Sequence, residues 1–312
     1  MLLAKSSVAF AQVALAVCEE RLPLRRSKHA RRDYSWPQLV ACLLVRSFLK
    51  LDYRGLEIRL GEHAELRRAL RLSRSPDHTA FCRALGHLGF SDIESLLDET
   101  IRRLNPKRRG RKRETLAIDS TGLRYDNASR SYLQKSPGRK AHTRNWPKWS
   151  IGIDVESHAI LSHVVARGPR SDHCEINDLL EQAQRRRPSK ILVADAGFDG
   201  EGQLRKCRSI WKLKGVIRVA PRGRHLSPQG VSNKTPLRRR LFENFPWTTY
   251  RRRKQVESTF SAHKRRFGDV VNSKTTHRRC IEQLLRAVLH NCAILQINGI
   301  ARTSQQSYPR SY

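Results

Sequence analysis

Three acidic residues stand where oxygen chemistry could be run. Asp119 closes the apolar run Leu116-Ala117-Ile118, and Asp195 closes Ile191-Leu192-Val193-Ala194; small residues follow each of them. A strand end is a rigid place from which to present an oxygen ligand. An Asp there can equally cap the next turn through its own backbone, so neither residue is diagnostic alone. The third acid, Glu257, lies in a stretch whose pattern predicts one helix from about residue 248 to 267, together with Tyr250, Arg253 and Lys264. At about 100° per residue these four fall on one stripe roughly 60° wide. Val256, Phe260 and Phe267 line the adjoining edge, which can dock on a sheet and aim Glu257 beside it. A solvated basic helix with i,i+4 pairs is the plainer alternative, but it leaves a single carboxylate flanked by Arg and Lys on one stripe unexplained.

Three carboxylates without a His or Cys among them are hard oxygen ligands, suited to Mg²⁺ or Mn²⁺ shared with substrate phosphates. Two such ions, roughly 3.5 to 4 Å apart, would serve the attacking and leaving oxygens of an in-line phosphoryl displacement. Asp154, Glu156, Asp172 and Asp199 are competing carboxylates; Asp154 is the strongest, although the adjoining hairpin turn points to a sheet-edge role. His173-Cys174-Glu175 spells the His-x-Glu of zinc deaminases, yet no Pro-Cys-x-x-Cys follows, and it reads as a helix start. Trp146, Trp149 and Trp247 sit among basic residues and could stack on an unpaired base or pack in a core.

A sheet must carry the two aspartates and a later helix must deliver the glutamate. Residues 116–118, 150–155, 160–166 and 191–194 read as strands, with 216–219 a fifth. The second and third, joined by Glu156-Ser157-His158-Ala159, predict an antiparallel hairpin, and 175–186 a crossover helix ending at Pro188. A last helix carries Ile281, Leu284, Leu285, Val288, Leu289, Cys292 and Leu295. This order predicts an α/β domain with a mixed sheet over 114–298.

Residues 1–104 read as an all-helical N-terminal region. Ser35 with Pro37 opens a run through Leu39, Leu43, Leu44 and Phe48, and Ser91-Asp92-Ile93-Glu94 reads as a capping box before Leu96, Leu97, Ile101 and Leu104. Lys5 followed by the apolar residues 8–18 superficially resembles a secretory signal, but an amphipathic first helix is the stronger reading. Asn105 and Pro106 stop the helices. The linker 105–113 then crowds Lys107, Arg108, Arg109, Arg111, Lys112 and Arg113 around one glycine; six cations that cannot neutralise one another favour contact with phosphates. Residues 299–312 read as a flexible tail, and no internal repeat is evident.

Composition sets the bounds. The 312 residues hold 62 Lys and Arg against 28 Asp and Glu, a formal net charge of +34, which calls for a polyanionic partner. The 38% hydrophobic content supplies two cores and excludes a wholly disordered basic tail. A mean hydropathy of −0.61, with no apolar run near the roughly 20 residues a bilayer crossing needs, argues against a membrane protein. The seven cysteines never form Cys-x-x-Cys, so neither a disulfide framework nor a cysteine zinc site follows, and a reducing compartment is expected.

At the residues that carry the chemistry the chain resembles the DDE transposases of bacterial insertion sequences, in the branch (insertion sequence families five and four) with a Tyr-x2-Arg-x3-Glu-x6-Lys signature. Tyr250, Arg253, Glu257 and Lys264 match that spacing without a gap. The resemblance extends to Ile118-Asp119-Ser120-Thr121-Gly122, to 149–154, to Asp195-Ala196-Gly197-Phe198-Asp199 and to Phe267-Gly268; Tyr53-Arg54-Gly55-Leu56 and Pro76-Asp77-His78-Thr79 resemble the N-terminal region of the family-five type. It implies an RNase H-like catalytic domain, with Asp119 on the first strand, Asp195 after the fourth and Glu257 on a later helix. The 62 residues from Asp195 to Glu257 are too few for the large β insertion of some relatives and imply only a short basic loop, 221–240. Phe198 stands where many relatives carry Tyr.

The function so implied is metal-dependent cleavage of DNA at the ends of a mobile element, followed by strand transfer from the freed 3′-OH. Asp119, Asp195 and Glu257 are expected to be the catalytic and metal-binding set for Mg²⁺ or Mn²⁺, as two ions. Tyr250, Arg253, Lys264 and the six linker cations are expected to contact DNA. The expected partner is double-stranded DNA, both element ends and target, with a homo-oligomer forming on it, no membrane, and a cytoplasmic, nucleoid-associated location. The rival readings are a non-catalytic or domesticated nucleic-acid-binding protein and an RNase H-like nuclease that cuts without joining.

Overall fold

The computed structural model describes residues 6–26, 33–104, 114–125, 146–220 and 235–306, with side chains as far as Gly299. The basic linker, with Lys107, Arg108, Arg109, Arg111, Lys112 and Arg113, lies outside the described residues, as do residues 221–234 of the expected basic loop. The chain divides into two compact units: Met1–Lys107 with Arg265–Gly268 and Ser273–Tyr312, and Arg108–Lys264 with Asp269–Asn272.

The first unit is helical: α1 (Ser7–Arg21), α2 (Trp36–Leu49), α3 (Tyr53–Glu62), α4 (Ala64–Ala69), α5 (His78–His87), α6 (Phe90–Leu104) and, from the far end of the chain, a helix over Thr276–Gln306. Ser35 starts α2 as expected, and does so reciprocally: its Oγ accepts from the Gln38 N–H at 3.3 Å while Gln38 Oε1 accepts from the Ser35 N–H at 2.8 Å. The expected capping box at Ser91 is corrected. The helix begins earlier, at Phe90, and Asp92 reaches back to accept from the Gly89 N–H at 2.9 Å. Phe10, Leu15, Leu43, Leu44, Phe81, Leu96, Leu97, Leu285 and Val288 are buried in this unit.

Two boundary expectations change here. The helix over 276–306 groups with the first unit and not with the strand-bearing unit, and it continues past residue 299, where a tail was expected, to Gln306. Its apolar stripe at Ile281, Leu284, Leu285, Val288 and Leu289 is buried, and it packs on α6 and α1. An amphipathic stripe declares that it will be covered, not by which element.

The second unit is built on a five-stranded sheet: β1 (Thr115–Gly122), β2 (Pro147–Asp154), β3 (Ile160–Arg167), β4 (Ile191–Ala194) and β5 (Lys214–Ile217), in the order β3-β2-β1-β4-β5. β1, β2 and β3 are antiparallel neighbours, while β4 and β5 run parallel to β1. This is the RNase H-like α/β arrangement that was expected. The crossover helix α7 (Ile176–Arg186) packs on β3 and β2, fastened by Arg186 Nη1 donating to Leu161 O at 2.9 Å. α8 (Glu201–Ser209) connects β4 to β5, and α9 (Pro236–Glu243) gives helical form to what was expected as the end of a loop. Gly152 in β2 needs its missing side chain: a Cβ there would lie 2.4 Å from Ser162 Oγ and 3.2 Å from Leu116 Cδ1.

The first unit holds one acid, Glu99, that is fully covered and hydrogen-bonded by Arg21 at 3.1 Å, by Arg102 at 2.8 and 2.7 Å and by Arg103 at 2.6 Å. Burial alone would push this carboxyl up, but the hydrogen bonds of Arg102, Arg103 and Arg21 outweigh it and hold it at about 2, below its ordinary 4.5. A folded value below the unfolded one gives stability that is present above pH 4.5 and lost as pH falls towards 2. Glu99→Gln is therefore expected to lower thermal stability at pH 7 by about 2 kcal/mol and to flatten the loss of stability between roughly pH 5 and 2, as read by thermal melts across that range.

Candidate active site

The parallel ladder between β1 and β4 ends at the pair Ile118↔Ala194, and the next residue on each chain is an aspartate. Neighbours in register on parallel strands share a face, so the ladder carries Asp119 and Asp195 to adjacent positions at its C-terminal end. Asp119 does not end its strand, as the sequence led us to expect: β1 continues to Gly122 because β2 pairs with it throughout, Asp119 opposite Ile151 and Ser120 opposite Ser150. Asp195 does follow its strand. It caps the 3₁₀ turn Ala196–Phe198, its Oδ1 accepting from the Gly197 N–H at 2.8 Å.

The signature segment is not one helix. It is α10 (Trp247–Tyr250), a 3₁₀ turn (Arg251–Arg253) and α11 (Lys254–Phe267). The tight turn falls where four cations follow one another, and Arg252 is drawn out of it to Glu156 and Thr115. In 3₁₀ geometry i and i+3 eclipse, which sets the Arg253 guanidinium over the Tyr250 ring, 5.8 Å from its centroid. Arg253 donates to Asp119 Oδ2 at 3.3 Å and to Glu257 Oε1, bridging the two carboxylates. Lys264 Nζ donates to Thr121 Oγ1 at 2.6 Å, two residues beyond Asp119. α11 lies against the sheet through Val256 and Phe260, with Trp149 5.7 Å from Phe260 and 4.9 Å from His263. Phe267, expected on the same edge, instead packs near Phe48 of the first unit, at 6.2 Å.

The electrostatics follow from this geometry. Burial pushes the Asp119 carboxyl up to about 6, and the like charges of Asp195 and Glu257 add to that; the Ser120 N–H and Arg253 pull the other way. Burial works against the Arg253 charge, yet Tyr250, Asp119, Glu257 and Asp195 more than compensate and raise its affinity for its proton. Burial also raises Tyr250, opposed by Arg253. Among the described residues no group of three or more His, Cys, Asp or Glu side chains is gathered closely enough to hold a metal ion. In donor chemistry the trio still suits a hard divalent cation: all donors are carboxylate oxygens, and a guanidinium already bridges two of the three.

The competing carboxylates have other partners. Asp154 ends β2, an interior strand and not a sheet edge, and pairs with Arg187 while its oxygens accept from the Glu156 and Ser157 N–H groups. Asp199 is buried under Arg238, at 2.7 Å. Glu175 is buried against Lys148 at 3.0 Å and Ser150, so His173-Cys174-Glu175 opens α7 through a 3₁₀ turn. Trp149 is core; Trp146 and Trp247 are exposed, and Trp247 forms with Phe245 and Tyr250 an aromatic cluster at 4.7 to 6.0 Å. The sequence reading missed Phe245 and also missed Lys148, whose signal was a lysine inside a buried strand, where an unpaired charge is not tolerated.

No curated protein matches the chain. Among solved structures, the piggyBac transposase in a synaptic complex with hairpin DNA, determined by cryo-EM, is similar at 13% identity and a TM-score of 0.42, over 97% of this chain and 67% of that one. A family model described as "Transposase DDE domain" matches residues 110–292, a span that takes in every strand of the sheet, Asp119, Asp195 and the whole signature segment. With more than half of its length so matched, this chain belongs to the DDE transposase domain family, whose activity is DNA transposition.

Proposed function

We propose that the chain is the transposase of an insertion sequence of the Tyr-x2-Arg-x3-Glu-x6-Lys type, binding the ends of its element, hydrolysing a phosphodiester to free a 3′-OH and directing that hydroxyl onto target DNA. The observation that carries this reading is the meeting of Asp119 with Asp195 at the end of the β1–β4 ladder and with Glu257 through Arg253. Asp119, Asp195 and Glu257 are the residues that would hold divalent metal, Mg²⁺ or Mn²⁺, as two ions. When bound, such ions activate the attacking oxygen and stabilise the leaving one.

The chain's own residues do the rest. Arg253 holds Asp119 and Glu257 together before substrate arrives and can turn to a phosphate when the carboxylates gain another cation. Lys264, anchored on Thr121, offers a charge beside Asp119 for the adjoining phosphate. Tyr250, in its cluster with Phe245 and Trp247, presents an aromatic face to the strand at the site. The linker cations and the helical N-terminal region grip the duplex, and a homo-oligomer assembles on the DNA, at the nucleoid. Among the described residues no helix is long and apolar enough to cross a membrane. An inert DNA binder has no use for two carboxylates bridged by one guanidinium at this place, since they repel phosphate.

Asp119→Asn, Asp195→Asn and Glu257→Gln are each expected to reduce metal-dependent cleavage by roughly a hundredfold or more while gel-shift affinity for an element end stays nearly constant. Cleavage at the wild-type rate in any one of them removes that residue from the set. For the linker, replacing Lys107, Arg108, Arg109, Arg111, Lys112 and Arg113 by Gln should weaken binding to all sequences and flatten the slope of log K against log salt, by about 0.9 for each phosphate that is no longer neutralised. An unchanged slope shows those cations to be idle. Joining separates transposase from nuclease: given a pre-cut element end, a target plasmid and Mg²⁺ or Mn²⁺, the protein should link the two, and Lys264→Ala should slow that joining about tenfold through poorer positioning of the phosphate. Ends that are cut repeatedly and never joined make the protein a nuclease.

A further inference from the structure

Beneath the candidate site lies a set of charges that the reaction as described does not use. Lys148 of β2 is almost fully buried, and its Nζ reaches Asp172 Oδ1 at 2.6 Å, Glu175 Oε1 at 3.0 Å and the Arg170 carbonyl at 2.8 Å. All three partners lie on the segment that leads from β3 into α7. Two hydroxyls complete the set, and they are cross-strand partners: Ser120 of β1 donates to Asp172, and Ser150 of β2 donates to Glu175. One buried cation therefore serves two carboxylates, and each carboxylate holds one strand of the β1–β2 pair.

Asp172 is the member of this set that touches the catalytic elements on both sides. Its Oδ1 accepts from the hydroxyl of Ser120, the residue next to Asp119 whose own N–H donates to Asp119 Oδ1 at 2.9 Å. Its Oδ2 faces the turn that Asp195 caps. A Cβ placed on Gly197 would lie 2.7 Å from Asp172 Oδ2 and 3.0 Å from Asp195 Oδ1, so the two carboxylates are separated by little more than the bare glycine. Two acids brought this close repel each other unless a cation balances one of them, and Lys148 does so for Asp172. A purely structural ion pair would need Lys148 and Glu175 alone; it would not need a second acid set against the Asp195 turn.

We propose that Asp172 is a positioning residue for strand cleavage: through Ser120, and across Gly197, it fixes the separation of Asp119 and Asp195, with Lys148 as its buried counter-charge. The inference rests on the reading of Asp119 and Asp195 as the reacting carboxylates. It identifies the segment between β3 and α7 as part of the catalytic scaffold.

The test is a double-mutant cycle in the full chain on Ser120→Ala and Asp172→Ala, with Asp172→Asn as the conservative variant and Asp119→Asn as the control. Single-turnover cleavage at saturating DNA, DNA affinity and melting temperature are read for each. Ser120→Ala and Asp172→Ala are each expected to slow cleavage about tenfold with DNA affinity unchanged, and the double variant to be no slower than the slower single one. Asp172→Asn, whose side-chain oxygen can still accept from Ser120, should recover most of the rate. Wild-type rates in both alanine variants overturn the proposal. So do losses that multiply in the double variant and follow its melting temperature, or an Asp172→Asn variant as slow as Asp172→Ala. Full activity in Asp119→Asn would instead overturn the underlying assignment of the site, which keeps the two failures distinct.

Discussion

The constraint on which the second unit depends is the register of one pair of parallel strands. β1 and β4 are in step from Thr115↔Ile191 to Ile118↔Ala194, and that step is what turns two aspartates 76 residues apart into neighbours. A slip of one residue would turn Asp119 to the opposite face and put Ile118 in its place. Burial holds the two strands together: Leu116, Ala117, Ile118, Leu192, Val193 and Ala194 are all fully covered, so both faces of the ladder are packed and kept out of water. The two aspartates are thus held in place by a hydrophobic constraint.

Around that frame the large positive charge is used in two ways. Inside the second unit, cations are assigned to particular acids: Lys148 to Asp172 and Glu175, Arg187 to Asp154, Arg238 to Asp199, Arg252 to Glu156 and Arg253 to Asp119 and Glu257. These pairs lock loops and turns to the sheet, since leaving one charge buried and unpaired is strongly destabilising. They consume most of the acids near the site, and the remaining Lys and Arg excess is left to meet phosphates. In the proposed reaction Arg253 belongs to both uses. It is partly buried between two carboxylates, yet it lies on a side chain long enough to be redirected.

The aromatic residues divide along the same line. Trp149 is taken up by packing against Phe260 and His263, which seats α11 on the sheet and so sets the height of Glu257. Trp247, Phe245 and Tyr250 are gathered at the start of the signature segment with Trp247 still exposed. Three basic-flanked tryptophans looked alike in sequence; their partners divide them into two kinds.

The sequence by itself determined most of the element types, the hairpin and the mixed α/β character of the strand-bearing unit, and which acids were candidates, because hydrophobic period and residue chemistry are local properties. Asp119, Asp195 and the spaced Tyr250, Arg253, Glu257 and Lys264 were legible for that reason. What only the tertiary structure decided were the matters of partnership. The break of the signature segment into two helices and a tight turn depends on Arg252 finding Glu156 and Thr115 across the unit, partners 96 and 137 residues away. The allegiance of the helix over 276–306 to the first unit depends on which apolar surface was left to cover it. Asp154, Asp172 and Asp199 are acids of ordinary sequence context; which of them is locked under Lys148, Arg187 or Arg238 is set by long-range pairing of charges, and no local pattern encodes that.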